Sequence, residues 1–289
     1  MTVDVRALVE RRVREPDAVA KAAAGRRRRA LVGESGRLMI VAVDHAARGA
    51  LGVGDRPMAM ADRADLLDRV LVALSRPGVD GVLAAPDVVD DLLLLGALDD
   101  KVVIGSMNRG GLAGSVFEID DRFTGFDVEG IDRHGFDGGK MLVRIDPSDH
   151  ATARLLESCA RAVGDLAGRR LMAMLEPFWM HRPGGRPATD LSPDAMVRAV
   201  SVASALGTTS AYTWLKVPVV DDMERVLAAS TLPALLLGGD VTGDPDEAYA
   251  RWAAALALPT VRGLVVGRSL LYPSDDDVAG AVDTAVGLL

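Results

Sequence analysis

Eight short apolar runs alternate with longer amphipathic segments along the chain, and this alternation constrains the fold more than any other feature. Most of the apolar runs are uninterrupted, which is typical of parallel strands buried on both faces. The predicted strands cover residues 38–44, 81–86, 101–107, 140–146, 171–177, 212–218, 233–239 and 263–269. The predicted helices cover residues 59–75, 87–97, 150–167, 192–206, 221–229, 245–257 and 276–288.

Eight β–α repeats in 289 residues predict an α/β fold, a (β/α)8 TIM barrel over residues 37–289, with an N-terminal helical extension over residues 1–36. An open doubly wound sheet is the main alternative. The glycine fingerprint of dinucleotide-binding folds is absent at the first strand-to-helix turn, which disfavours that alternative. The segments 108–137, with a short helix near 127–134, and 178–191 are predicted as loops that select the substrate.

Composition and charge exclude several classes of function. The chain is 49% hydrophobic and 26% charged, as in globular proteins, and its net charge of −8 disfavours nucleic-acid or anionic-membrane partners. The one basic block, GRRRRA at 25–30, is predicted to be a solvated helix face. A single cysteine, Cys159, and the lack of an apolar signal segment or membrane-length run predict a cytoplasmic protein. We also expect a homo-oligomer, because barrels of this type commonly associate.

Polar residues follow or interrupt several predicted strands at the end where barrel enzymes carry their chemistry. Asp44 and Arg48 follow the first strand, Lys140 and Arg144 lie on one face of the fourth, and Glu176 ends the fifth. Each also has a plain structural interpretation: Asp44 as a helix cap, Lys140 as a solvated residue, and Glu176 as half of a structural ion pair. We predict Asp44, Lys140 and Glu176 as catalytic residues, and Arg48 and Arg144 as substrate- or phosphate-binding residues.

Lys216 is the hardest of these residues to explain structurally, because it lies inside the apolar run AYTWLKVPVV. Burial and nearby cations both lower the pKa of an ammonium group. A neutral lysine can attack a carbonyl and form a Schiff base, and the protonated imine then accepts electrons as an adjacent carbon–carbon bond breaks. Glu176 on the preceding strand is placed to move the protons. An inert lysine paired with Glu176 is the alternative.

Glycines end the seventh and eighth predicted strands, a position where barrel enzymes frequently bind phosphate. Gly238, Gly239 and Gly267 would let backbone N–H groups approach an anion, and Arg268 would add a charged donor. Tight β–α turns also favour glycine, so glycines at both strand ends indicate a phosphate site more specifically than glycines at either end alone.

Histidine spacing gives no indication of a metal site. The four histidines are His45, His134, His150 and His181. They lack the spacing of zinc ligands, and His45 and His181 are predicted as loop residues. We expect no metal and no cofactor, because the iminium of a Schiff base on Lys216 would do the electron-withdrawing work.

Several of these segments together resemble class I aldolases of the (β/α)8 type, over roughly residues 37–272. VDHAARGALG, KMLVRID, LEPF, LKVPVV, GGD and VVGRSLL resemble that family's strand-end motifs, nearest the tagatose-bisphosphate and sulfofructose-phosphate aldolase branch. Archaeal-type fructose-bisphosphate aldolases are more distantly similar, and an aldolase-like subgroup linked to inositol catabolism is a further resemblance. The sequence departs from the pattern by two extra residues between Asp44 and Arg48. After Glu176 it also lacks the tyrosine of archaeal relatives.

The resemblance implies a lyase that cleaves or forms a carbon–carbon bond in a phosphorylated keto sugar or keto sugar acid. Lys216 matches the Schiff-base lysine, Lys140 the second active-site lysine and Glu176 the catalytic glutamate. The retained fragment would resemble dihydroxyacetone phosphate. Two other functions stay open: a metal-independent sugar-phosphate isomerase or epimerase, which would form no covalent adduct, and a non-catalytic sugar-phosphate-binding barrel.

Overall fold

Eight parallel strands close into a barrel in residues 2–238 and 245–289, the part of the chain that the computed structural model describes. A ninth, short strand pairs antiparallel with the fifth. The strands are β1 (Leu38–Ala42), β2 (Gly81–Ala84), β3 (Val102–Ser106), β4 (Gly138–Ile145), β5 (Met172–His181), β6 (Ala188–Asp190), β7 (Thr213–Pro218), β8 (Ala234–Leu237) and β9 (Val261–Val266). Around the barrel the order is β1-β2-β3-β4-β5-β7-β8-β9, and β9 pairs with β1.

Helices surround the barrel, and several begin at the caps that their sequences predict. Before α7, the Ser192 hydroxyl accepts a hydrogen bond from the Ala195 amide, and Pro193 occupies the first helical turn. The helices are α1 (Val5–Arg14), α2 (Ala18–Gly25), α3 (Arg63–Ser75), α4 (Pro86–Leu94), α5 (Val128–Arg133), α6 (Ala151–Gly168), α7 (Pro193–Ser204), α8 (Met223–Leu227), α9 (Pro245–Leu256), α10 (Arg268–Leu271) and α11 (Val278–Val286). The predicted TIM barrel with its helical extension is confirmed; the boundary between residues 36 and 37 stays a prediction. Within the described ranges, no helix combines the length and apolar character that a membrane span requires.

Two apolar cores hold the barrel together. One lies between the strands and the helices, and the other fills the barrel interior. Because side chains alternate along a strand, β1 sends Leu38, Ile40 and Ala42 inward while Met39 and Val41 pack against the helices. All five residues are buried, which explains why the sequence of this strand is apolar without interruption.

The structure corrects the sequence-based prediction for the segment after Glu176. Residues 178–191 are not wholly a loop, because β5 continues to His181 and the chain returns as β6. Trp179 pairs with Asp190, and His181 pairs with Ala188. The resulting β5–β6 hairpin stands above the barrel at the carboxyl ends of the strands.

The structure also corrects part of the prediction for the basic run at 25–30. The residues after Gly25 are not helical and, although most of the run is exposed as predicted, Arg26 is not. Helix α2 ends at Gly25, and Arg26 is buried with 2% of its side chain exposed. Its guanidinium donates to the Lys101 carbonyl at 2.7 Å and to the Gly135 carbonyl at 2.8 Å. These carbonyls precede β3 and β4, so Arg26 fastens the N-terminal helices to the amino-terminal end of the barrel.

Replacing Arg26 with alanine is expected to destabilise the protein, because buried carbonyls would lose a charged donor. Hydrogen bonds to charged groups contribute roughly 1.5–3 kcal/mol each, so we expect a loss of about 2–4 kcal/mol in the free energy of unfolding. Urea unfolding measures it. Arg27→Ala is the matched control: the Arg27 side chain is 68% exposed and pairs with Asp100, so its unfolding midpoint should not change. Equal effects of the two substitutions would contradict the role given to Arg26.

Candidate active site

The inward-facing positions change from apolar to polar one layer above the barrel core. On β5 the inward residues run Met172, Met174, Glu176, and on β7 Trp214 is followed by Lys216. The same period places Lys140 on β4 and Asp44 after β1 in this layer. The two-residue periodicity of four separate strands therefore brings these four polar side chains together at the carboxyl end of the barrel, where barrel enzymes carry out their chemistry.

Glu176 bridges the two buried lysines. Its Oε1 lies 2.7 Å from Lys216 Nζ, and its Oε2 accepts a short hydrogen bond from Lys140 Nζ. Lys140 and Lys216 are 1% and 2% exposed. Burial alone would raise the pKa of Glu176, but the two ammonium groups outweigh it and hold the pKa below its ordinary value. Glu176 is therefore an ionised acceptor that contacts both amines.

Asp44 is the second carboxylate of this cluster. Its Oδ2 lies 2.5 Å from Arg109 Nη2 and 3.0 Å from Lys140 Nζ, and it accepts a hydrogen bond from the Ser106 hydroxyl at 3.0 Å. Ser106 in turn accepts from Arg109 Nε at 2.8 Å. Burial alone would raise the pKa of Asp44, but Arg109 and Lys140 lower it well below its ordinary value.

Lys140 joins the two carboxylates, and its own pKa is shifted toward neutrality. Burial, together with the nearby Arg109 guanidinium, lowers the pKa of Lys140 to about 8, although Asp44 and Glu176 oppose the shift. The cluster holds three basic side chains, Arg109, Lys140 and Lys216, and two acidic ones, Asp44 and Glu176. An amine with this pKa exchanges protons readily near neutral pH, as acid–base catalysis requires.

A cavity of ≈ 400 Å³ opens onto this cluster. Its volume lies in the range of small-molecule sites. Basic side chains face it from Arg48, Arg109 and Arg268, and apolar side chains face it from Phe178 and Leu191. The remaining lining residues are Ala42, Asp44, His45, Ala50, Lys140, Leu142, Glu176, Thr189, Lys216, Pro218, Leu237, Gly238, Val265 and Gly267. The balance of charge favours an anionic ligand.

His45 lines the cavity beside Asp44. Its Nδ1 lies 3.9 Å from Asp44 Oδ1, is buried, and has no hydrogen-bond partner among the described residues. Burial lowers the pKa of His45 to about 3; Asp44 opposes this shift, while Arg268 and Lys216 add to it. The imidazole is therefore neutral at physiological pH.

The two predicted binding arginines occupy different places. Arg48 lines the cavity and makes a short ion pair with Glu118. Arg144 does not line the cavity: its side chain is 3% exposed, and it lies 2.7 Å from Glu118 and 3.3 Å from Asp121. Any contact between Arg144 and a ligand would thus be indirect, through Glu118 and Arg48.

The predicted glycines have a packing role as well as a place at the cavity. Gly238 and Gly267 line it beside Arg268, whereas Gly239 lies outside the described residues. A Cβ at Gly267 would stand 2.2 Å from the Ala42 carbonyl oxygen, and a Cβ at Gly238 would stand 2.6 Å from a Val266 methyl. Close packing of β9 against β1 therefore requires glycine at 267 whether or not phosphate binds there.

Sequence reasoning missed several residues of the site. Arg109, like the predicted residues, comes shortly after a strand, so its position was a usable signal. His45 was predicted as a loop residue but lines the cavity. Nothing local marked Ser106 or Glu118, since their roles depend on partners 62 and 70 residues away. Among the described residues, no group of three or more histidine, cysteine or acidic side chains is arranged to hold a metal ion.

Comparison with known proteins gives one family match and a wider set of similar folds. Residues 36–286 match the model of the Cgl0159-like family. The crystal structure of Cgl0159 from Corynebacterium glutamicum is 55% identical, with a TM-score of 0.95, and the match covers 98% of this chain and 95% of that one. No curated protein matches the chain.

Aldolases share the fold at low identity. An archaeal fructose 1,6-bisphosphate aldolase is 17% identical, with a TM-score of 0.67 and coverage of 93% of this chain and 98% of that one. A Schiff base-forming fructose-1,6-bisphosphate aldolase is 18% identical, with a TM-score of 0.65 and coverage of 93% and 99%. At this identity the likeness is one of fold.

Proposed function

The chain belongs to the Cgl0159-like family, and we propose that it is a class I aldolase that cleaves or forms a carbon–carbon bond in a phosphorylated keto sugar or keto sugar acid. One observation carries the proposal: a buried lysine amine, Lys216 Nζ, lies 2.7 Å from a buried carboxylate, Glu176 Oε1, at the wall of a basic cavity. A nucleophilic amine with an adjacent proton acceptor is what Schiff-base chemistry needs. The aldolases that share the fold, one of them Schiff base-forming, add support.

In the proposed reaction Lys216 attacks the substrate ketone and Glu176 carries the protons. Glu176 contacts both amines, so its ionised carboxylate can take the proton that leaves the Lys216 nitrogen as the carbinolamine forms. The carbinolamine then takes back a proton, loses water and becomes the iminium. Carbon–carbon cleavage leaves a dihydroxyacetone-phosphate-like fragment bound as an enamine. Asp44, held by Lys140 and Arg109, orients a substrate hydroxyl or takes its proton as the carbon–carbon bond breaks.

The phosphate is proposed to lie against the ends of β8 and β9. Arg268 supplies a charged donor there, and Gly238 and Gly267 leave the backbone accessible; Gly239 is part of the same proposal. Arg48, on another wall, would bind a second anionic or hydroxyl group, with Arg144 supporting it through Glu118. Membership of the tagatose-bisphosphate and sulfofructose-phosphate branch, a link to inositol catabolism, a homo-oligomeric state and a cytoplasmic location are proposals of the same kind.

Borohydride trapping tests the proposal directly. The protein is incubated with phosphorylated ketoses, deoxy-keto sugar acids and dihydroxyacetone phosphate, reduced, and mapped by peptide mass spectrometry. The chain has only four lysines, Lys21, Lys101, Lys140 and Lys216, so the site of the adduct is unambiguous. We expect the adduct on Lys216, with a mass that identifies the retained fragment. Turnover of a sugar phosphate without any adduct would favour the isomerase, and binding of sugar phosphates without turnover the non-catalytic barrel.

A further inference from the structure

Cleavage by the proposed aldolase requires a group that takes the proton of the substrate hydroxyl, and the cavity offers an unexpected one. This inference rests on the proposed function. The chain has three tyrosines, Tyr212, Tyr249 and Tyr272, and none of them lines the cavity. Phe178, which has no proton to exchange, faces the cavity two residues beyond Glu176. The proton must therefore go to another side chain.

Asp44 is poorly suited to accept this proton. Its Oδ2 already makes ion pairs with Arg109 and Lys140 and accepts a hydrogen bond from the Ser106 hydroxyl. The proton could reach this oxygen only by displacing one of the three donors that hold it. Glu176 is similarly engaged, with one oxygen on each lysine. Asp44 Oδ2 and both oxygens of Glu176 are thus occupied by donors before the substrate binds.

His45 differs from the carboxylates because its Nδ1 is not engaged. This nitrogen is buried, 3.9 Å from Asp44 Oδ1 and without a hydrogen-bond partner in the described ranges, in a side chain that lines the cavity. An orphaned buried nitrogen is costly unless a ligand satisfies it. A substrate hydroxyl that donates to this nitrogen would lie beside Asp44 Oδ1. Asp44 would then stabilise the imidazolium that forms.

We propose that His45 is a catalytic residue that transfers the proton during carbon–carbon cleavage. The electron pair of the breaking carbon–carbon bond moves into the iminium on Lys216 and forms the enamine. The O–H electron pair becomes the new carbonyl bond of the leaving aldehyde, and the proton goes to His45 Nδ1. After the aldehyde departs, the imidazolium returns this proton to the enamine carbon. Water then hydrolyses the iminium and releases the fragment.

Anion binding would prepare His45 for this role. Arg268 is one of the two cations that lower the pKa of the imidazole, alongside Lys216 and opposed by Asp44 and Glu176. A phosphate bound at Arg268 would offset that cation and so raise the pKa of His45. Burial, the largest cause of the lowered pKa, would remain, as would the positive charge of the iminium on Lys216.

The test separates imine formation from proton transfer by using dihydroxyacetone phosphate alone. In deuterium oxide, the enamine equilibrium exchanges the proton on the hydroxyl-bearing C3 of this probe, and NMR follows the loss of its signal. Asparagine places a hydrogen-bonding group near the position of Nδ1 but cannot carry the proton. For His45→Asn we expect the borohydride adduct on Lys216 within about twofold of wild type, and exchange reduced roughly 10²-fold or more. His181→Asn is the matched control, because His181 pairs with Asp190 on the hairpin outside the cavity, and it should retain wild-type exchange.

Each result decides between the two proposals. If His45→Asn forms the wild-type amount of adduct and exchanges the proton at the wild-type rate, the role of His45 is overturned and the aldolase proposal stands. Loss of both would assign His45 to imine formation and also overturn the inference. If wild-type protein forms no adduct with the probe, the proposed retained fragment is wrong and the inference fails with it.

Discussion

Replacing Lys216 with methionine is expected to abolish carbon–carbon cleavage, with a fall of more than about 10³-fold in kcat/KM, or roughly 4 kcal/mol of transition-state stabilisation. Methionine keeps a long apolar side chain at a position that is 2% exposed but removes the nucleophile. In the part of the chain that the structure describes, only Lys216 pairs with the Oε1 oxygen of Glu176. Coupled assays with the substrate identified by trapping measure the loss, and borohydride should trap no adduct.

The other lysines supply the controls for this prediction. Lys21→Met removes an exposed lysine that pairs with Asp17 on α2, and it should retain full activity. Glu176 keeps its contact with Lys140 in Lys216→Met, so the fold should persist and a thermal scan should show one cooperative transition. Trapping of the wild-type adduct on Lys140 would instead make Lys140 the nucleophile and contradict the prediction.

The barrel and the central cluster could be predicted from sequence because both depend on local periodicity. Uninterrupted apolar runs reveal strands buried on two faces, and the period of two carries Glu176 and Lys216 inward above apolar residues of the same strands. Parallel strands end at one rim, so residues at strand ends meet. Lys140 is the exception, because its predicted strand starts at this residue. The register of β4 against β3, where Lys140 pairs with Ser106, brings it to the layer of Asp44.

The parts that could not be predicted depend on contacts distant in sequence. Strand β6 has only three residues and exists because β5 extends past the barrel to pair with it. Arg26 looked like part of a solvated run, but carbonyls more than 70 residues away bind it. Glu118 is one of many acidic loop residues, and only the folded chain brings it to Arg48 and Arg144. Composition carries no signal for such pairings.

Replacing Glu176 with glutamine is expected to remove most of the activity and to destabilise the fold at neutral pH. The amide cannot compensate Lys140 and Lys216, two buried amines that both contact the carboxylate. Removing one partner of a buried ion pair typically costs about 3–5 kcal/mol, and we expect a loss in that range from urea unfolding at pH 7. Glu157→Gln is the matched control, because Glu157 pairs with Arg161 on the exposed face of α6 and both side chains are about 70% exposed. Its unfolding midpoint should match wild type.

The pH dependence identifies the source of this loss. The pKa of Glu176 is lower in the folded protein than in the unfolded chain, so folding is favoured by its ionised form. That contribution is fully present above the unfolded glutamate pKa of about 4.3 and declines as the pH falls toward the folded value. The difference in unfolding free energy between wild type and Glu176→Gln should therefore be largest near neutrality and shrink below pH ~4. A difference that stays constant down to pH ~3 would mean that packing of the side chain, and not its ion pairs with the two lysines, stabilises the barrel at this position.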